Sequence, residues 1–105
     1  MTTYETHFNP LAIYHEDEMV GFAIYCVNET GIGEIEAIMI DQHHQGKGYG
    51  RSAMVELIKL LRDQFRCQEV RLSHRKENEI ASNLYESLDF EIINSEEAIA
   101  RRLVL

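Results

Sequence analysis

Three glycines within five residues, Gly46, Gly48 and Gly50, stand between an apolar run at residues 35–40 and an amphipathic stretch at residues 51–66. Glycine lets backbone N–H groups approach a ligand closely, and a helix starting just behind adds the positive end of its dipole. That combination suits a phosphate. Lys47 and Arg51 add two local cations. The first expectation is therefore a phosphate-bearing cofactor. Two glycine patterns fit poorly. The P-loop pattern GxxxxGK[ST] is absent, because Gly48 follows Lys47 and no glycine stands at the required earlier position. Gly48-Tyr49-Gly50-Arg51-Ser52-Ala53 does fit the GxGxxA of a dinucleotide fingerprint. However, five polar residues, 41–45, separate it from the strand, and the next strand ends at Ser73-His74 with no acid for a ribose.

Other reactive side chains carry weaker signals. Adjacent His43 and His44 cannot readily ligate one metal together and have no carboxylate triad around them, so they read as turn residues. Cys26 and Cys67 are too few and too scattered for a zinc site or a disulfide framework. They read as buried thiols, and a reduced, cytoplasmic setting is expected.

The elements that must position these residues follow from apolar periodicity. Residues 11–14 and 19–27 read as a strand pair around the polar turn His15-Glu16-Asp17-Glu18, the second strand being apolar on both faces as if covered on both. A turn at residues 28–31 leads to a strand at 34–40. Residues 51–66 place Met54, Leu57, Ile58, Leu61 and Phe65 on one helical face and Glu56, Lys59, Arg62 and Asp63 on the other. A short strand at 70–73 pairs naturally in parallel with the preceding strand through this helical crossover. A second helix, 79–88, gathers Ile80, Ala81, Leu84, Tyr85 and Leu88, and strands at 90–94 and 98–104 close the chain. The order, ββ(βαβ)αββ, predicts a single α/β domain over residues 1–105. Its sheet is mixed and mostly antiparallel, with a central parallel pair and two main helices.

Composition limits the partners. The chain of 105 residues is 45% apolar and 27% charged, ordinary values for a globular domain. Acidic residues outnumber basic ones 18 to 10, a net charge of −8, which opposes binding to nucleic acid or an anionic membrane surface and favours a cationic partner. An anionic cofactor must then be held by local geometry. No apolar run approaches the ~20 residues of a membrane span, and residues 1–8 do not read as a secretory leader.

The loop Gln45-Gly46-Lys47-Gly48-Tyr49-Gly50 reads QxxGxG, and Asn78, Ala81, Leu84-Tyr85 and Phe90 reproduce Nxx(A)xxLYxxxxF about thirty residues later. With both motifs in this order, the chain from about residue 8 onward resembles the GNAT family of N-acetyltransferases. Residues 16–22, 35–41 and 45–50 most resemble its spermidine/spermine (diamine) acetyltransferase branch. The resemblance implies an acyl-CoA N-acyltransferase-like fold, shortened at the N-terminus: the strand and two helices that begin family members would be represented by no more than the tail of the second helix in residues 1–9. At the end of the second helix the family has LGF where this chain has Leu88-Asp89-Phe90, which Asp can carry as a left-handed cap.

The resemblance also implies roles. Gln45, Gly46, Lys47, Gly48, Tyr49, Gly50 and Arg51 would hold the pyrophosphate of acetyl-CoA. Ile38, Met39 and Ile40 would line the thioester with strand backbone, and Asn78 and Ala81 would contact the cofactor. Tyr85, seven residues beyond Asn78 and expected on the same helix face, is the candidate proton donor to the departing thiolate. A phenol near ~10 can protonate a thiolate whose acid lies near ~8.5 if the site is tuned. Its other reading is a core aromatic. Glu36, expected on one strand face with Ile38 and Ile40, is the candidate group to bind an alkylammonium and relay its proton; its other reading is a solvent-facing strand residue. Glu34 would extend an acidic rim. His74 is either a helper in proton transfer or a satisfied loop histidine. The implied activity is acetyl transfer from acetyl-CoA to a primary amine, a small amine or polyamine, by direct attack in a ternary complex, with no metal. The alternative is a non-catalytic CoA-binding domain, or a subunit whose acceptor site a partner or second copy completes. Exposed sheet edges make a homodimer an expectation.

Overall fold

The computed structural model describes residues 8–105. Their elements are β1 (Asn9–His15), β2 (Glu18–Val27), β3 (Ile32–Ile40), α1 (Tyr49–Asp63), β4 (Glu69–His74), α2 (Glu79–Ser87), β5 (Glu91–Asn94) and β6 (Ile99–Val104). One sheet takes all the strands in the order β1-β2-β3-β4-β6-β5. Only β3 and β4 pair in parallel, and the helical crossover α1 joins them. The mixed, mostly antiparallel sheet with two helices is as expected. What residues 1–7 contribute of the expected helix tail lies outside the described residues.

Both helices lie on one face of the sheet. Ala23 and Tyr25 of β2, Ile35 of β3 and Val70 and Leu72 of β4 point to that face and form one core with Met54, Leu57 and Leu61 of α1 and Tyr85 of α2. Each of these strand residues is separated by two from the next, the period that sends alternate side chains to one side. The α1 apolar stripe follows the i, i+3, i+4 rule and buries Met54 and Leu61 completely. Phe65, expected on that stripe, falls beyond the last turn at 42% exposure and meets only the edge of Tyr25. Ile80 corrects the second helix similarly: in the first turn of α2, ahead of the packed turns, it is 83% exposed. The apolar pattern of β2 predicted cover on both sides. Among the described residues no helix lies on the second face, where Phe22 and Met39 are paired and exposed. No helix is long and apolar enough to cross a membrane, again among the described residues.

The central parallel pair is short. Residues Ile32, Gly33 and Glu34 of β3 align with Glu69, Val70 and Arg71 of β4. Beyond them β3 runs on to Ile40 and β4 to His74 without further pairing between the two, although β4 keeps its full ladder to β6 on the other edge. The sheet therefore splits into a wedge that opens toward the C-terminal ends of both strands. At the root of the wedge β3 bulges: Tyr25 faces Ile35 and Ile24 faces Ala37, which leaves Glu36 as the extra residue. A bulge bends its strand and increases its twist, so β3 turns away from β4 here.

Candidate active site

The glycine loop stands at the mouth of this wedge. After β3, Asp41 caps a short 3₁₀ turn, Gln42–His44, by accepting from the His43 N–H. Gln45 then turns back and donates its side-chain amide to the Ile40 carbonyl at 3.0 Å, pinning the loop to the end of β3. Gly46 and Gly48 have φ of 80 and 82, the left-handed region that other residues enter only with strain. A Cβ on either would meet nothing within 4 Å, so the glycines are needed for torsion rather than space. Gly48 is the N-cap of α1 and provides no side chain to cap it, and no acid lies in the first turn. The N–H groups of Tyr49, Gly50 and Arg51 have no partner within the helix, and the dipole of a fifteen-residue helix lies behind them. The helix starts two residues earlier than expected. Gly50 thus belongs to the first turn, where it packs near Ile40 and Leu84 and brings α1 against β3 and α2.

The two cations differ. Lys47 is exposed and has no carboxylate partner among the described residues. Arg51 is tethered instead, donating to Ser87 Oγ at 2.6 Å, and that hydroxyl donates to the Leu84 carbonyl. It therefore ties α1 to the end of α2. Asn78 is the N-cap of α2, and its side-chain oxygen accepts from the Ala81 N–H at 3.0 Å. Asn78 is exposed and Tyr85 is buried, so the two do not share one helix face; the N-cap lies outside the helical repeat.

The bulge re-aims the acid. Ile38 pairs with Ala23 and Ile40 with Gly21, on the helix side of the sheet, whereas Ala37 and Met39 face away. Glu36 was expected on the face of Ile38 and Ile40. The extra residue shifts the alternation by one, and Glu36 joins Glu34 on the face without helices. There Cys26, paired across the strands with Glu34, brings its Sγ within 3.6 Å of a carboxylate oxygen of Glu34 and of one of Glu36. Burial and then the two carboxylates push the thiol up to about 11, so it stays protonated and donates to them. At neutral pH it is a poor nucleophile. Glu34 and Glu36 line a cleft of about 280 Å³ with Ser73 and Leu72 from the other wall of the wedge and Arg101 at its base.

On the helix side, Tyr85 is 6% exposed, its ring 5.8 Å from that of His74 and 5.8 Å from that of Phe90. Burial raises the phenol above its ordinary value, so it carries its proton at neutral pH. A Schellman motif ends α2 around it. The Asp89 N–H bonds the Glu86 carbonyl and the Phe90 N–H bonds the Tyr85 carbonyl, with Asp89 left-handed at φ 71 as its place in the sequence predicted. His74 is the satisfied histidine of the two readings. Its Nδ1 lies 2.9 Å from the Arg75 carbonyl and its Nε2 accepts from Arg101 Nε at 3.0 Å, which fixes the neutral tautomer with hydrogen on Nδ1. His43 and His44 are turn residues as expected, His44 pairing with Glu18 at 3.0 Å.

Cys26 and Arg101 are the parts of the site that sequence reasoning missed. Neither stands in a motif. Cys26 reaches the carboxylates only through cross-strand pairing, and Arg101 reaches His74 across 27 residues of chain.

The chain matches the profile of the Acetyltransferase (GNAT) family over residues 2–90. It is 29% identical over 109 residues to the probable spermine N(1)-acetyltransferase of Bacillus subtilis subsp. natto, across 92% of this chain and 72% of that protein. It is 28% identical over 109 residues to the spermine/spermidine N(1)-acetyltransferase of Bacillus subtilis strain 168, with the same coverage of 92% and 72%. Among solved structures, the PaiA N-acetyltransferase of Thermoplasma acidophilum in complex with coenzyme A superposes with a TM-score of 0.83 at 14% identity. That match covers 93% of this chain and 61% of the other.

Proposed function

We propose, from the premise that this chain belongs to the GNAT acetyltransferase family, that it moves the acetyl group of acetyl-CoA to a primary amine by direct attack in a ternary complex. A polyamine is the preferred acceptor, and the two Bacillus relatives named as spermine acetyltransferases support that choice. The observation that carries the reading is the bulge at Glu36 where β3 leaves β4. It puts a carboxylate on one face of the split and leaves Tyr85 on the other, so a thioester lying in the wedge would have a base on one side and an acid on the other.

Acetyl-CoA supplies an acyl group already activated as a thioester. The residues present fit it: Gly46 and Gly48 give the loop its left-handed turns, the α1 N-terminus offers free N–H groups, and Lys47 offers a charge to the pyrophosphate. Gln45 holds the loop through the Ile40 carbonyl, and the stretch Ile38, Met39 and Ile40, which does not pair with β4, would receive the amides of the pantetheine arm. Arg51 and Ala81 would frame the same groove from α1 and α2. Glu36, backed by Glu34, would bind the alkylammonium and take its proton, so that the neutral amine attacks the acyl carbon as the carbon–sulfur bond breaks. Tyr85 would give its proton to the departing sulfur. The products are free CoA thiol and the N-acetylamine.

A second reading rests on the open sheet face. Phe22 and Met39 are exposed on the sheet face that carries Glu34 and Glu36, so a second copy of the chain could complete the acceptor site. Sedimentation of the purified protein separates a dimer from a monomer. The free thiols Cys26 and Cys67 support a reducing, cytoplasmic setting.

The test is thiol release from acetyl-CoA across a panel of amines including spermidine and spermine. Release is expected only with amine present, and Tyr85→Phe should lower kcat by on the order of 10²-fold or more while CoA affinity holds. Binding of CoA with no turnover on any amine would overturn the enzymatic reading, and a Tyr85→Phe variant with unchanged kcat would remove Tyr85 from its role.

A further inference from the structure

Arg101 is 3% exposed, and among the described residues no carboxylate pairs with it. Burying a guanidinium without a counter-charge is costly, and an aliphatic side chain would fill the same space without that cost. What only the planar fork provides is a simultaneous hold on several acceptors in fixed directions. All three nitrogens of Arg101 are engaged. Its Nε donates to His74 Nε2 at 3.0 Å, Nη1 to the Phe90 carbonyl at 3.2 Å and Nη2 to Ser82 Oγ at 3.0 Å.

These acceptors surround one residue. Ser82 lies one turn before Tyr85 on α2, and Phe90 lies just past the helix end. His74 and Phe90 are the two rings that flank the Tyr85 ring. His74 cannot turn, because its other nitrogen is engaged with the Arg75 carbonyl. Strand β6 thereby clamps β4, the body of α2 and the chain leaving α2 against each other, with Tyr85 between them.

We propose that Arg101 is the positioning residue for Tyr85: it sets the orientation of the phenol and so the efficiency of proton delivery to the departing sulfur. The inference rests on the reading of Tyr85 as the proton donor. Arg101 also lines the acidic cleft, but its three hydrogen bonds go to the residues that hold the ring, and it acts on Tyr85 through them.

A double-mutant cycle between Arg101→Lys and Tyr85→Phe tests it, with kcat taken at saturating acetyl-CoA and spermidine and normalised to CoA-binding sites. Lysine keeps the charge but cannot span three acceptors. In the otherwise unchanged chain Arg101→Lys should lower kcat by on the order of 10- to 100-fold with the KM for acetyl-CoA held, the size expected for a misplaced group. In the Tyr85→Phe background the same substitution should change kcat by less than about twofold, since nothing remains to be positioned. Equal losses in both backgrounds, or no loss in either, would overturn the inference while leaving Tyr85 as the acid. A silent Tyr85→Phe would overturn the underlying reading and the inference with it. Should Arg101→Lys fail to fold, Ser82→Ala removes one acceptor only. Its kcat loss, expected to be a few-fold, must likewise vanish beside Tyr85→Phe, and equal losses again refute the role.

Discussion

Replacing Gly48 with alanine converts one torsion angle into a measurable affinity. Gly48 sits at φ 82 and ψ 8 as the N-cap of α1, and a Cβ there would meet no atom within 4 Å. The cost of alanine is therefore torsional alone, about 1–2 kcal/mol for an L-residue in the left-handed region. If the loop keeps its shape, that cost appears as lost stability, and a domain of this size should melt about 4–8 °C lower for each kcal/mol. If the loop relaxes instead, the N–H groups of Tyr49, Gly50 and Arg51 no longer converge, and the strain reappears when a ligand demands the original turn. CoA would then bind about 5- to 30-fold more weakly, the factor that 1–2 kcal/mol represents. The two losses must together account for the torsional cost. Thermal melting and calorimetric titration with CoA measure both, and pantetheine, which lacks the pyrophosphate, is the control whose affinity should hold. An alanine variant with unchanged melting and unchanged CoA affinity would refute the torsional argument. Equal weakening of pantetheine would refute the loop as a phosphate cradle.

Glu36→Gln keeps the shape of the side chain but removes the proton acceptor, so kcat/KM for the amine should fall about 10²-fold or more while CoA titrates as before; a full rate would exclude Glu36 as the base. Cys26, pushed from an ordinary 9.0 to about 11, should be alkylated by iodoacetamide only as pH approaches that higher value. The sign follows from linkage: the contribution of this thiol to stability is complete below the unfolded value of 9.0 and is lost as pH rises toward about 11. Alkylation with a midpoint near the ordinary value would contradict the contacts to Glu34 and Glu36. Asp89→Ala, at φ 71, should cost roughly 0.5–1 kcal/mol in thermal or urea melts and Asp89→Gly should not; equal melting of the two variants would show that the left-handed cap carries no strain.

Much of this protein is written locally. The period-two runs and the amphipathic stripe of Met54, Leu57 and Leu61 marked the strands and the long helix, because burial of one face imposes those spacings on the sequence itself. Gly46 and Gly48 marked the loop because their left-handed torsions strain other residues, and Asp89, whose short polar side chain tolerates that region, marked a cap. Asn78, Tyr85 and Phe90 could be read as one unit because a capped helix and its Schellman end span consecutive residues.

Tertiary structure decided the rest, and for one physical reason. Alternation along a strand is local, but register belongs to the pair of strands, and one unpaired residue reverses every face beyond it. Glu36 is that residue, so the acid lies opposite Ile38 and Ile40 although the sequence alternates them evenly. Packing both helices on one face likewise left Phe22 and Met39 in the open despite an apolar strand. Cys26 beside two carboxylates and Arg101 around Tyr85 arise from chain crossings that no spacing in the sequence records. The sequence alone marked the glycine loop as the candidate phosphate cradle and Tyr85 as the candidate acid. Only the split between β3 and β4, with its bulge, put Glu36 on one face of the sheet and left Tyr85 on the other.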